Sequence, residues 1–405
     1  MVVGSIPTRP TNSEEHARLL LRGRDCYERG DWDDAFNALR LADAEGALDA
    51  ADLHRLAWSA GLTARDEHMF ATTERVYHAW LGEGQQLNAA RAAFWLGFRL
   101  MVRGESSRAS GWLSRAQRLV ELHTEDCAER GYLLLPAAQR LLSAGEFTRA
   151  YDCALQAAQI GERFDEADLI AFARNLQARA MFSDGQIERA LALMDEVMVA
   201  ATAGELSPVV TGIVYCTAIA SCRRVFALDR VREWTAALAS WCDAHPQLGM
   251  FTGHCLVHRA EVLELSGAWP QWVAEARRAV VRCVRNVERE TAGRAHYLQA
   301  EIHRLRGDAA LAEAGYREAS REGFEPQPGL ALLRLAAGDP SFLTSARGYR
   351  VRRRRLPHRH GSTTFPIALS LRTPPPSGSN RSHEGWFDGA YSQKSLKSPK
   401  APVGS

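Results

Sequence analysis

Between residues 14 and 340, apolar residues recur at spacings of three and four. Phe147, Ala150, Tyr151, Ala154, Leu155 and Ala158 form one such run, and that spacing puts them on one face of a helix. No run of alternating β-branched residues bounded by turn signals is long enough for a strand. The pattern predicts an all-α chain of helix pairs over 14–46, 49–83, 85–122, 125–163, 166–203, 207–244, 249–287 and 290–321. Leu206 to Cys222 runs seventeen residues without a charge. It stops short of the ~20 residues that span a bilayer and contains Pro208, Gly212 and several hydroxyls, so it predicts a buried central helix and no membrane partner.

The breaks between helices fall in register. Gly30, Gly104, Gly145, Gly185, Gly267, Gly307 and Gly338 sit at turn-like sites, with steps of 41, 40, 82, 40 and 31 from Gly104 onward. The step of 82 predicts a unit that lacks its glycine near Leu228-Asp229. The gap of 74 before Gly104 predicts two units of 37, with a hidden turn near Ala64–Asp66. Seven residues before each glycine stands a small residue: Gly23, Gly97, Ala138, Ala178, Ala260, Ala300 and Ala331. Five residues after it come Ala35, Ala109, Ala150, Ala190 and Ala312, with Trp272 and Leu343 as exceptions. Twelve after it come Ala42, Ala116, Ala157, Ala279 and Ala319, with Val197 as a variant. Small side chains at minus seven and plus five are what two closely approaching antiparallel helices require, and plus twelve lies two turns further along the same face. The glycine supplies the left-handed residue that ends the first helix. An acidic residue follows it at five of the seven turns, where it would favour the opening of the next helix.

This small–Gly–aromatic–Ala pattern resembles the tetratricopeptide repeat. Gly23, Gly30, Asp31, Trp32, Ala35 and Ala42 match it residue by residue, as do Ala138, Gly145, Phe147, Ala150 and Ala157. Units near 40 residues exceed the consensus of about 34. The resemblance implies a right-handed superhelical array of antiparallel helix pairs, a tetratricopeptide-like α-solenoid of eight units and a partial ninth. Long units of this kind, with Arg22 to Asp25, Gly30 to Phe36 and Ala203 to Leu206, are similar to the sensor region of bacterial LuxR-type (MalT-like) transcriptional regulators. That resemblance implies a regulatory array that binds a protein, a peptide or a small effector in its concave groove. It also implies a C-terminal helix-turn-helix domain, and nothing in residues 341–405 reads as one.

Charge divides the chain at the point where the repeat fails. The whole sequence balances 50 basic against 48 acidic residues. Residues 341–405 hold nine Arg and three Lys against two acids, a net of +10, so residues 1–340 carry 38 basic and 46 acidic, a net of −8. The only lysines are Lys394, Lys397 and Lys400, which excludes phosphate-loop and Schiff-base chemistry from the repeat region. Three segments are expected: a disordered 1–13, the repeats over 14–340, and a basic, Pro/Ser-rich disordered tail over 341–405. A shifted reading frame after codon 340 would produce such an abrupt change. The alternative is a nucleic-acid arm made of Arg350, Arg352, Arg353, Arg354, Arg355 and Arg359, which would bind weakly, without sequence specificity and with steep salt dependence.

Candidate chemistry is sparse. The eight cysteines include no C-x-x-C pair and read as reduced, buried thiols in a cytoplasmic protein. His254 and His258 lie one helical turn apart with Glu261 a turn further on, but the ligand count for zinc is short, and structural histidines are the expectation. No nucleophile elbow, dinucleotide loop or metal motif appears. The sequence therefore predicts a non-enzymatic binding module with no cofactor.

Overall fold

A computed structural model describes residues 12–285 and 289–338, and within them the chain forms seventeen helices and no strand. The pairs are α1 (Asn12–Glu28) with α2 (Trp32–Glu45), α3 (Ala50–Leu62) with α4 (Asp66–Gly82), and α5 (Gln86–Val102) with α6 (Ser106–Leu122). Next come α7 (Ala128–Ser143) with α8 (Phe147–Phe164), α9 (Ala167–Asp184) with α10 (Ile187–Ala203), and α11 (Pro208–Arg224) with α12 (Leu228–Ala244). The series closes with α13 (Gly249–Ser266) and α14 (Trp269–Arg285), α15 (Arg289–Arg306) and α16 (Ala309–Arg321), and a final short α17 (Gly329–Ala336). Partners within a pair pack together, and each pair stacks on the next. The fold is a tetratricopeptide-like α-solenoid. The expected disordered segments 1–13 and 341–405 fall almost wholly outside the described residues.

One backbone device ends every first helix. Gly30, Ala64, Gly104, Gly145, Gly185, Phe226, Gly267 and Gly307 all have positive φ. In each turn the next amide donates to a carbonyl five residues back, as from Asp31 to Cys26 at 2.9 Å and from Ala227 to Cys222 at 2.9 Å. That bond satisfies a carbonyl the helix end would otherwise orphan. The two turns without glycine are therefore real turns with ordinary residues in the left-handed region. Successive turn residues are 34, 40, 41, 40, 41, 41 and 40 apart, so the first two units are not equal units of 37. The first step is shorter because α2 has only 14 residues and α3 only 13, against 17 in each of α4 and α5.

The acids that follow the turns stand at the openings of the second helices without capping them by a hydrogen bond. Asp31, Glu105, Glu146 and Asp308 precede the second helices, yet none of their side chains accepts a bond from the helix's own first amides. Glu105 instead holds Arg108 at 2.7 Å, and Glu146 holds Arg149. With ψ near +60° at these cap positions, the backbone departs from the extended conformation typical of a capping side chain.

The array winds until it meets itself. α3 touches α13, although five units separate them in sequence. Both are first helices of their pairs, so the first helices form the inner layer and the second helices the outer one. The contact is made by the α12–α13 connection. His245 stacks on Trp32 at 5.6 Å between ring centroids, and on its other side it lies 5.4 Å from Trp241. The amide of Asp33 donates to Gln247 Oε1 at 2.8 Å, so a residue 214 positions away satisfies an orphan donor at the start of α2. Leu248 and Met250 join Trp32 and Leu62 in one buried cluster.

Candidate interaction surfaces

The repeat anchors lie at the helix crossings. Ala35, Ala138, Ala150, Ala178, Ala190, Ala260 and Ala300 have no exposed surface, and Trp32 is 5% exposed. A Cβ on Gly23 would stand 2.6 Å from Leu39 Cγ, and one on Gly97 would stand 2.8 Å from Leu113 Cγ. Gly30, Gly104, Gly145, Gly185, Gly267 and Gly307 are the left-handed turn residues. Arg350, Arg352, Arg353, Arg354, Arg355 and Arg359 lie outside the described residues.

Polar pairs join the inner helices to one another. Arg24 on α1 grips Asp52 on α3 through Nε at 2.9 Å and Nη2 at 2.5 Å. Arg91 on α5 reaches Glu129 on α7 at 2.7 Å and Glu166 at the start of α9 at 2.8 Å, and its guanidinium lies 4.7 Å from the Tyr132 ring. Gln139 on α7 accepts from Arg179 on α9 at 2.8 Å, and Asn175 on α9 donates to Thr217 on α11 at 2.6 Å. Glu261 on α13 binds Arg223 on α11 and Arg294 on α15, each at 2.5 Å. These buried groups need partners because an unmade bond there costs about 1–3 kcal/mol, and the pairing ties each first helix to a particular neighbour.

Between these pairs the inner layer of units two to five is aromatic. Phe98 meets Phe172 at 5.3 Å, Phe94 meets Tyr132 at 5.3 Å, and Trp58 meets Trp95 at 5.4 Å, mostly edge to face. A cavity of about 10 Å³ remains beside His54, Trp58 and Trp95, room for roughly one water. Burial, reinforced by Arg55 and Arg91, pushes His54 down to about 4. The inner face here is filled by the protein's own side chains.

Units seven and eight line the same layer with charge, joined by Arg223 at the end of α11. Burial alone would raise the Glu261 carboxyl, but Arg223 and Arg294 outweigh it and hold the group well below the usual carboxylate range. His254, bonded to Thr291 at 2.9 Å, is driven down to about 3 by burial and then by His258, Arg294 and Arg99. His258 lies 3.3 Å from Glu261. Glu264 is pushed up to about 7, first by burial and then by the carboxylates of Glu261 and Glu301. On α9 of unit five, Arg179 is lowered to about 10 by burial and by Arg224 at the end of α11. No group of three His, Cys, Asp or Glu side chains among the described residues is arranged to hold a metal ion. No helix among them is long and apolar enough to cross a membrane. None of the eight cysteines is in a disulfide, and six of them are buried.

The edge formed by the turns changes character along the array. At units one and two it is covered by residues 245–250. At units six to nine it is open, with Phe226 81% exposed, Trp269 42%, Leu305 48% and Leu335 61%. Sequence reasoning singled out the turns but missed this edge, because apolar residues such as Phe147, Ile187 and Leu228 stand beside the other turns as well.

No protein-family profile matches the sequence, and no curated protein matches it. Among solved structures, apo RapI is 13% identical with a TM-score of 0.41, over 82% of this chain and 90% of that one. A human IFIT1 dimer with m7Gppp-AAAA is 14% identical with a TM-score of 0.42, over 84% and 75%. The tetratricopeptide domain of P58(IPK) is 12% identical with a TM-score of 0.24, over 82% and 99%. None reaches 0.5, so the fold assignment stands on the helix pairs of this chain.

Proposed function

We propose that the chain is a non-enzymatic protein-interaction scaffold with a regulatory role, whose partner engages the open units six to nine. The observation that carries this reading is the contrast along one array. At units one and two the turn edge is closed by the His245 segment, and the inner layer of units two to five is filled by Phe94, Phe98, Tyr132 and Phe172. Along the same edge units six to nine leave Phe226, Trp269, Leu305 and Leu335 exposed, and exposed apolar surface marks an interaction site. The inner carboxylates of Glu261 and Glu301 are each held by arginine, as expected of structural groups. No cofactor enters the proposal.

The finer reading, a sensor of the LuxR type, rests on the sequence resemblance at Gly30 to Phe36 and Ala203 to Leu206. Affinity purification of the full chain, followed by sizing of the recovered complex, tests the scaffold. A stoichiometric protein complex that weakens in a Phe226→Ser chain supports it. Recovery of nucleic acid alone, lost on truncation at residue 340 and falling steeply with salt, favours the basic arm instead.

A further inference from the structure

The chain displays on itself what its turn edge binds. In units one and two the receiving residues are Trp32, two positions after its turn residue, and Leu62, two positions before the next one. They are 5% and 3% exposed and lie under His245, Leu248 and Met250. Units seven and eight carry the same two residues in the same register: Trp269, two after Gly267, and Leu305, two before Gly307. No other neighbouring pair of units in the sequence combines Trp and Leu at these positions. There the edge is open, with exposures of 42% and 48%.

We infer that Trp269 and Leu305 form a second docking edge, for a β-turn of a partner protein that presents an imidazole or aromatic ring and, three residues later, an aliphatic side chain, as His245 to Leu248 do in a turn closed by the Leu248 amide donating to the His245 carbonyl at 2.9 Å. The model for the occupant is His245 to Leu248, whose ring stacks on Trp32 while its leucine joins the cluster around Leu62. A second copy of this chain is a poor occupant, because its own 245–250 segment is already buried against its first two units. One difference sharpens the specificity. Asp33, three after its turn, donates its amide to Gln247. The equivalent residue in unit seven is Pro270, which has no amide hydrogen to give. The residue between ring and aliphatic in the partner is therefore free to vary.

This inference rests on the reading of the chain as a protein-binding array, and its test separates the two. A labelled synthetic peptide with the sequence of residues 243–250 is titrated against the full chain, its Trp269→Ala, Trp269→Phe and Leu305→Ser variants, with folding checked by circular dichroism. The expected result is saturable binding with a Kd below about 1 mM, weakened roughly tenfold by Trp269→Ala and by much less in Trp269→Phe, which keeps a ring to stack on. No saturation in that range overturns the docking edge. Equal binding by the parent and Trp269→Ala also overturns it, since the peptide would then be displacing the internal segment. A chain that fails with the peptide but still yields a stoichiometric protein complex loses only this edge and keeps the scaffold reading.

Discussion

His245 stacks on Trp32 across a separation of 213 residues, with rings 5.6 Å apart and inclined by 21°. Everything between them is a succession of near-equal helix pairs, so this contact reports the winding of the whole array. It converts an open-ended stack into a body whose second and seventh units touch.

The closure leaves no room at its backbone contact. A Cβ on Gly249 would stand 2.9 Å from both Ala64 Cβ and the Thr63 carbonyl carbon. Gly249→Val therefore forces the segment away from the first two units. Hydrogen exchange should quicken across residues 12–82, and the radius of gyration measured by small-angle scattering should rise.

Two turns store backbone strain. Ala64 has φ 61° and Phe226 has φ 59°, where a side chain costs about 1–2 kcal/mol relative to a helical residue. Ala64→Gly and Phe226→Gly should each stabilise the chain by roughly 0.5–1 kcal/mol, net of the extra freedom glycine adds to the unfolded chain. Denaturant titration measures this. Gly104→Ala, at φ 78°, should do the reverse.

Gly97 on α5 faces α6. A side chain there would meet Leu113 and, at 3.1 Å, the backbone oxygen of Ala109. Gly97→Val should cost about 1–3 kcal/mol by overpacking, whereas Gly111→Ala, with open space around it, should be neutral or stabilising. A thermal melt distinguishes the two.

The charged inner units give stability a pH signature. The Glu261 carboxyl is held below its ordinary value, so its contribution is present above the unfolded carboxylate range and is lost as pH falls through the folded value. His254, lowered to about 3, acts in the same direction over pH 6.5 down to about 3. Glu264 runs opposite: with its pKa raised from 4.5 to about 7, its contribution is complete at low pH and fades as pH rises between those values. Glu264→Gln should flatten the decline between pH 4.5 and 7. Glu261→Gln should destabilise by about 3 kcal/mol at neutral pH, because Arg223 and Arg294 lose their shared carboxylate. Urea melts across the pH range read both effects.

The helix pairs were legible because turn chemistry is local. Spacing alone placed the glycine-free turns near Ala64–Asp66 and Leu228-Asp229, since a unit must be about as long as its neighbours to stack on them; the left-handed residues are Ala64 and Phe226. The winding was not legible. Superhelical pitch accumulates from small rotations at each interface, and nothing near Trp32 announces that His245 will arrive. The inner pairs, such as Arg24 with Asp52 and Glu261 with Arg223 and Arg294, were hidden for a related reason: a sequence shows charge but not which units share it. The acids after the turns were visible, but the arginine partners of Asp31, Glu105 and Glu146 were not.

The solenoid closes through Trp32 and His245. A double-mutant cycle with Trp32→Ala, His245→Ala and the double variant, followed by urea unfolding, measures it directly. The account predicts a coupling energy of about 0.5–1.5 kcal/mol between the two sites. Strict additivity of the two substitutions would contradict it.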